Sequence, residues 1–311
     1  MPARTPTPAR ILILSDLHLG RPGQGAVSAD ALRPLWYDTD ELIINGDAAE
    51  LADHSCQGQA ARQLLRLQDL AEADGVRLTY LAGNHDPLIT DRRFLRLADR
   101  RVFITHGDML HDTISPWSEH AARLKALHAD AYAALQRTAR HEGSQGDPAS
   151  AGLSPADASF DQHAAVVAHT AAMKWQEIAD SSGQPKPKAS RLQMKVRKAR
   201  KAAAVAWYWH TLPRAAKAFA RRYAPESRFF LFGHIHRAGV WLDRTDPHHH
   251  RFIINTGSFH YPRNPHAVRI ANHELAFHRI QFKPAGHQLL PPRRTWPLPE
   301  RVATESLPIA A

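Results

Sequence analysis

An α/β fold follows from three features of this sequence. Short, almost wholly apolar runs recur at ILIL (11–14), ELIIN (41–45), RLTYLA (77–82) and RVFIT (101–105). Helical stretches such as GQAARQLLRLQDLAEA (58–73) separate them, and a polar motif follows each run directly. Runs without alternation fit strands covered on both faces, and helices between strands give crossover connections. The prediction is a largely parallel sheet in this part of the chain.

Taken in order, the opening MPARTPTPAR leads straight into the first strand with no apolar stretch long enough for a signal peptide, which predicts a cytoplasmic protein. The segment at about 112–225 is rich in Ala, Arg, Lys and His, poor in β-formers, and broken at HEGSQGDPASAGLSP and SSGQPKPKAS. It reads as several helices inserted into the domain. Past Arg228 the pattern becomes mostly strands, RFFLF, AGVWL, RFIIN and the hairpin AVRIANHELAFHRIQF, which predicts a second sheet packed on the first. The expected organisation is one domain over 1–283, interrupted by the insertion, and a Pro-rich tail over 284–311. A chain of 311 residues can bury a core of that size. The single cysteine, Cys56, excludes an intrachain disulfide and reads as a small apolar side chain. No segment approaches the roughly 20 apolar residues of a membrane-spanning helix.

The polar motifs are SDLHLG, NGDAAE, GNHDP, THGDML and FGHIHR. Together they supply Asp16, His18, Asp47, Asn84, His85, His106, His234 and His236. In open α/β sheets the loops beyond the strand C-termini converge on one crevice. Oxygen and imidazole donors gathered there suit a pair of divalent cations, and the lack of sulfur argues against a structural zinc knot. Asp16 and His18, two residues apart, would share one face of an extended backbone and could grip one metal together.

The motifs D-x-H, G-D, G-N-H-D, H and G-H-x-H, in this order, resemble those of the calcineurin-like metallophosphoesterase superfamily. The resemblance covers Ile11 to about His111 and Arg228 to about His260. It implies a four-layer αββα sandwich of two mixed sheets with a helical insertion. It also implies two divalent metal ions, manganese first, with iron and zinc as alternatives. One metal would take Asp16, His18, Asp47 and His236; Asp47 would bridge to a second, completed by Asn84, His106 and His234. The hydroxide shared by such a pair would attack a phosphate ester or pyrophosphate. His85 would act on the phosphoryl or leaving oxygen, with Asp86 holding its imidazole; the other reading of Asp86 is a carboxylate that stabilises the turn before Pro87. Glu50 and Asp108 are candidates for orienting ligands. The run His248, His249 and His250, between two strands, reads as a solvated turn.

The substrate class is narrower only by looser signals. HGDMLHD, a long helical insertion and GHIHRAG look like the UDP-2,3-diacylglucosamine pyrophosphohydrolases, which implies a lipid-linked UDP-sugar. That group carries arginine at the place of His85 and has a shorter insertion. A net charge of +10 calls for an anionic, phosphate-containing partner. The basic run from Lys186 to Arg222 includes Trp207, Tyr208, Trp209 and Phe219. It suits a lid over an anionic amphiphile or a peripheral contact with the inner membrane face; packing of the aromatics on the catalytic domain is the plainer reading. A nuclease whose basic helices track a nucleic-acid backbone is the alternative enzyme. A non-catalytic scaffold is disfavoured by the complete ligand set.

Overall fold

The computed structural model describes residues 10–23, 27–110, 121–142, 163–168, 170–171, 173, 190–260, 263–283 and 285–298. The leader, parts of the insertion and the end of the Pro-rich tail lie outside these. Two mixed sheets make the fold. The first has the order β11-β10-β9-β1-β2-β3 and the second β4-β5-β6-β8-β7.

β1 (Ile11–Leu14), β2 (Glu41–Asn45) and β3 (Arg77–Leu81) run parallel, joined through helices α1 (Ala29–Leu32) and α2 (Gln57–Ala73). β4 (Phe94–Leu97) then turns back through Ala98, Asp99 and Arg100, all left-handed, with φ of 50°, 51° and 69°. β4 already belongs to the second sheet, and the turn sets β5 (Val102–Thr105) antiparallel to it and parallel to β6 (Phe229–Phe232), which pairs in turn with β8 (Arg251–Asn255). β7 (Gly239–Asp243) closes that sheet. β9 (His266–Ala271), β10 (Glu274–Gln281) and β11 (Gln288–Pro297) return to the first sheet as an antiparallel extension of β1. The chain thus exchanges sheets twice, where the order of apolar runs predicts one sheet followed by the other. Within the Pro-rich segment, Gln288–Pro297 form the edge strand β11, a place where proline is tolerated.

Alternation along the strands builds the layers. Ile13, Ile43, Ile104, Phe229, Leu231 and Ile254 meet between the sheets. Leu12, Leu14, Leu42 and Ile44 face outward onto Ala29, Leu32, Leu67 and Leu70 of α1 and α2. Phe103, Phe230, Phe232 and Ile253 face the opposite way, onto the insertion. Each apolar run is therefore covered twice, as its lack of polar alternation requires.

Within the insertion are α3 (Ala121–Glu142), helical residues 163–168, and α4 (Arg191–Tyr223). The second half of α4 buries Tyr208, Leu212, Ala216, Ala220 and Tyr223 against the second sheet. This half is the fourth layer of the sandwich, not a detached lid. Of the four aromatics in the basic run, Tyr208 is buried, Trp209 and Phe219 are packed against the sheet, and Trp207 remains 60% exposed. Among the described residues no helix is long and apolar enough to cross a membrane.

Candidate metal centre

Strand exits from both sheets supply the site. Asp16 and His18 follow β1, Asp47 follows β2 and Asn84 follows β3; His106 follows β5, while His234 and His236 follow β6. Six of these fall into two close groups of donor atoms, and Asn84, 2% exposed, precedes His85, whose backbone N–H donates to Asp47 Oδ1. Asp16, His18, Asp47, His234 and His236 adopt φ of 52°, 50°, 50°, 69° and 56°. Left-handed backbone is costly for such residues and persists where surrounding structure dictates it, as at ligand clamps. Asp16 and His18 are consequently not in extended backbone, and the shared-face geometry expected of them does not apply. Successive tight turns bring them together instead.

Three groups of ligand atoms lie within 4.8 Å of one another: Asp16 with His18 and His236; Asp47 with His106 and His234; and His18 with Glu50 and His85. Asp47 links the first two, its Oδ2 lying 3.3 Å from His106 Nε2 and 3.8 Å from His18 Nε2. His106 donates its Nδ1–H to the carbonyl of Asn45 at 3.0 Å. Its other nitrogen, Nε2, is buried and faces Asp47, where it offers a lone pair once its proton is displaced. A buried imidazole nitrogen and a carboxylate facing each other are the donors a divalent cation takes, so the donor set fits.

The glycines of the motifs are required by close approach. A Cβ on Gly233 would stand 2.2 Å from Asp16 Oδ2, and one on Gly83 2.3 Å from Asp47 Oδ1. Burial pushes the Asp16 carboxyl up to about 6. Burial also works against the charged form of His106, but Asp47 outweighs it and holds that imidazolium well above its usual range.

Glu50 has a larger part than the sequence indicates. Its two oxygens accept from His18 Nδ1–H and His85 Nδ1–H, each at 2.7 Å, and Arg21 donates to it at 2.9 Å. Burial opposes its ionisation, yet His85 and His18 hold the carboxyl below the ordinary carboxylate range. Burial lowers the pKa of His85 against the pull of Asp47 and Glu50, and its side chain is 20% exposed, the same as that of His236. The crevice therefore opens at these two rings.

Asp86 does not hold the His85 imidazole. Its carboxylate accepts backbone N–H groups from Asp47, Ala48, Ala49 and Gly83 at 3.1, 2.6, 3.3 and 2.9 Å. The turn-stabilising reading is the one realised, extended to two loops. Burial and the nearby Asp47 push this carboxyl up to about 7, against the N–H donors that favour its anion. Asp108 likewise orients no ligand directly and pairs with Arg93 at 3.2 Å under the second sheet.

Sequence reasoning passes over His260. Its ring lies 5.8 Å from that of His18 and 6.4 Å from that of His236, on the loop leaving β8. The strand-exit rule that finds the other ligands reaches this residue as well. His248, His249 and His250 lie away from the centre in the turn before β8, where His249 Nε2 is 3.0 Å from the carbonyl of Ser227. A cavity of about 340 Å³, lined by Ala238, His266, Arg293 and Arg294 among others, contains none of the seven candidate ligands.

Residues 9–121 match the calcineurin-like phosphoesterase family. A comparison with curated proteins finds no match. Among solved structures, a dimetal phosphatase from Danio rerio is 11% identical, with 90% of this chain and 98% of that chain covered and a TM-score of 0.39. A Vps29 single mutant from Entamoeba histolytica is 10% identical, covering 90% and 97%, with a TM-score of 0.36. A cold-active protein-tyrosine phosphatase of a psychrophilic Shewanella is 13% identical, covering 91% and 80%, again at 0.36.

Proposed function

With residues 9–121 matching the calcineurin-like phosphoesterases, we propose that this chain is a dinuclear metal-dependent phosphoesterase acting on a phosphate ester or pyrophosphate. The observation that carries the reading is the carboxylate of Asp47 set between two ligand groups, near His106 on one side and His18 on the other. Asp16, His18, Asp47 and His236 would hold one cation, and Asp47, Asn84, His106 and His234 the other. Manganese suits the mixed oxygen and nitrogen donors, with iron and zinc as alternatives. Such a pair supplies a water acidic enough to ionise near neutral pH and positive charge against the phosphoryl oxygens.

The chain's own residues do the rest. His85, fixed by Glu50 and at the open side, is placed to stabilise a phosphoryl oxygen or protonate the leaving oxygen. Asp86 ties the loops after β2 and β3 together, which keeps Asp47 and Asn84 in register. The insertion at about 112–225 interrupts the phosphoesterase domain. In α4, Lys195, Arg197, Lys198, Arg200 and Lys201 are all exposed, with Trp207 near them. This half-helix favours an anionic amphiphile such as a lipid-linked UDP-sugar or an anionic membrane surface. The same exposed cations also suit a nucleic-acid backbone, which keeps a nuclease as the second reading.

The test is a hydrolysis panel with manganese: bis-p-nitrophenyl phosphate, a phosphomonoester, UDP-diacylglucosamine and single-stranded DNA. Metal-dependent cleavage of the diester, with turnover concentrated on the lipid-linked substrate, is expected. Preference for DNA would select the nuclease. A reconstituted protein without stoichiometric metal would defeat both.

A further inference from the structure

Pro213 lies inside α4. It has no N–H, so the carbonyl of Trp209, four residues earlier, loses its helical donor. Arg237 fills that place: its Nη1–H donates to the Trp209 carbonyl at 3.0 Å. In return the Trp209 indole N–H donates to the carbonyl of Ile235 at 2.9 Å, and the Arg237 guanidinium stands 5.8 Å from the centre of the Trp209 ring. Two hydrogen bonds of opposite direction thus join the insertion to one three-residue stretch of the site.

That stretch is the critical one. Ile235 is the residue between ligands His234 and His236, both in left-handed backbone. On its other side the turn is held by the Asp16 carboxylate, which accepts the His234 N–H at 2.9 Å. Sheet contacts and Asp16 alone would leave the Ile235 carbonyl and the Arg237 side chain unanchored. α4 supplies the second anchor.

Resting on the metal-centre reading above, we propose that Trp209 and Arg237, through the carbonyl freed by Pro213, are positioning residues that hold the His234–His236 turn in its metal-binding form. The insertion then sets the affinity of both cations, because His234 belongs to one ligand group and His236 to the other. Trp209 differs in this from Trp207, two residues earlier, which is exposed and touches none of these groups.

Manganese titration of the metal-free full-length protein tests this. Trp209→Phe retains an aromatic ring for packing but removes the indole N–H together with the pyrrole part of the ring; Arg237→Ala removes the partner at an exposed position. Each is expected to lower manganese affinity by about 10-fold to 100-fold, the range for groups that orient metal ligands. Pro213→Ala, which restores a competing helical N–H, should weaken affinity in the same direction while raising helix content. Trp207→Ala should bind as the parent does. The melting temperature of each variant in chelator separates loosened packing from a loosened turn, and Arg237→Ala decides the matter should Trp209→Phe not fold. Parental affinity in both folded variants would overturn this proposal alone. A parent that binds no manganese would overturn the metal centre and this proposal with it.

Discussion

The Nε2 atoms of His18 and His236 face one another at 3.0 Å across 218 residues of sequence. Glu50 accepts the Nδ1–H of His18, and in metal-free protein one of the two facing Nε2 atoms must carry the proton between them. A cation bound by both rings would displace this proton. The two rings are therefore already at ligand spacing, and little rearrangement separates the two states.

The protons on the ligands give a pH dependence with a definite sign. Asp16 sits at about 6 and His106 well above the usual histidine range in metal-free protein, so both are partly or wholly protonated below neutrality. Cations must displace those protons, and manganese affinity should rise by about tenfold or more from about pH 5.5 to about pH 7.5. Calorimetry at the two pH values checks this; equal affinities would contradict it.

Asp47→Ala removes the carboxylate shared by the two ligand groups. Bound manganese should fall from two ions per chain to one or none, and hydrolysis of bis-p-nitrophenyl phosphate should be abolished. Elemental analysis after gel filtration, together with the rate, gives the answer.

For His85→Ala, metal content is expected to stay at the parent's level while turnover drops by about 10² to 10⁴, as for a positioned acid or base. Loss of metal in this variant would make His85 a ligand.

Glu50→Gln separates orientation from ligation. A neutral amide offers one oxygen where the carboxylate gives His18 and His85 one each. Manganese affinity should drop by about 10-fold to 100-fold, and turnover should fall beyond what saturating metal restores. Full recovery at high manganese would limit Glu50 to His18.

Asp86→Ala strips the partner from four backbone N–H groups in two buried loops. A loss of stability of at least about 3 kcal/mol is expected, since each buried donor left unpaired costs about 1–3 kcal/mol. Urea unfolding of metal-free protein measures it; a change under about 1 kcal/mol would mean that water reaches the loops.

Much of this arrangement was legible in the sequence because it depends on position along strands. Runs such as ILIL and RFFLF announce strands covered on both faces, and the residues after them converge by topology alone. What was not legible depends on partners far apart in the chain. Nothing in RVFIT tells that β5 belongs to the second sheet; the chain has already crossed between β3 and β4, and the left-handed turn at Ala98–Arg100 only reverses it from β4 into β5. Glu50 and Asp86 are both carboxylates beside ligands, and only the direction of their hydrogen bonds separates the one that orients imidazoles from the one that ties loops. The basic aromatic run reads as one segment, whereas in the helix its aromatics point different ways, Tyr208 to the sheet and Trp207 to solvent.

The proposed ligands come from the exits of both sheets: Asp16, His18, Asp47 and Asn84 from the first, His106, His234 and His236 from the second. A filled site would therefore act as a rivet through the middle of the sandwich, in a chain whose lone cysteine can form no covalent one. Its grip would add to folding in proportion to the logarithm of the free cation concentration above the dissociation constant. The protein would then be a gauge of its surroundings: starved of metal, it would lose heat resistance along with activity, and the two sheets would begin to part at the crevice where substrate enters.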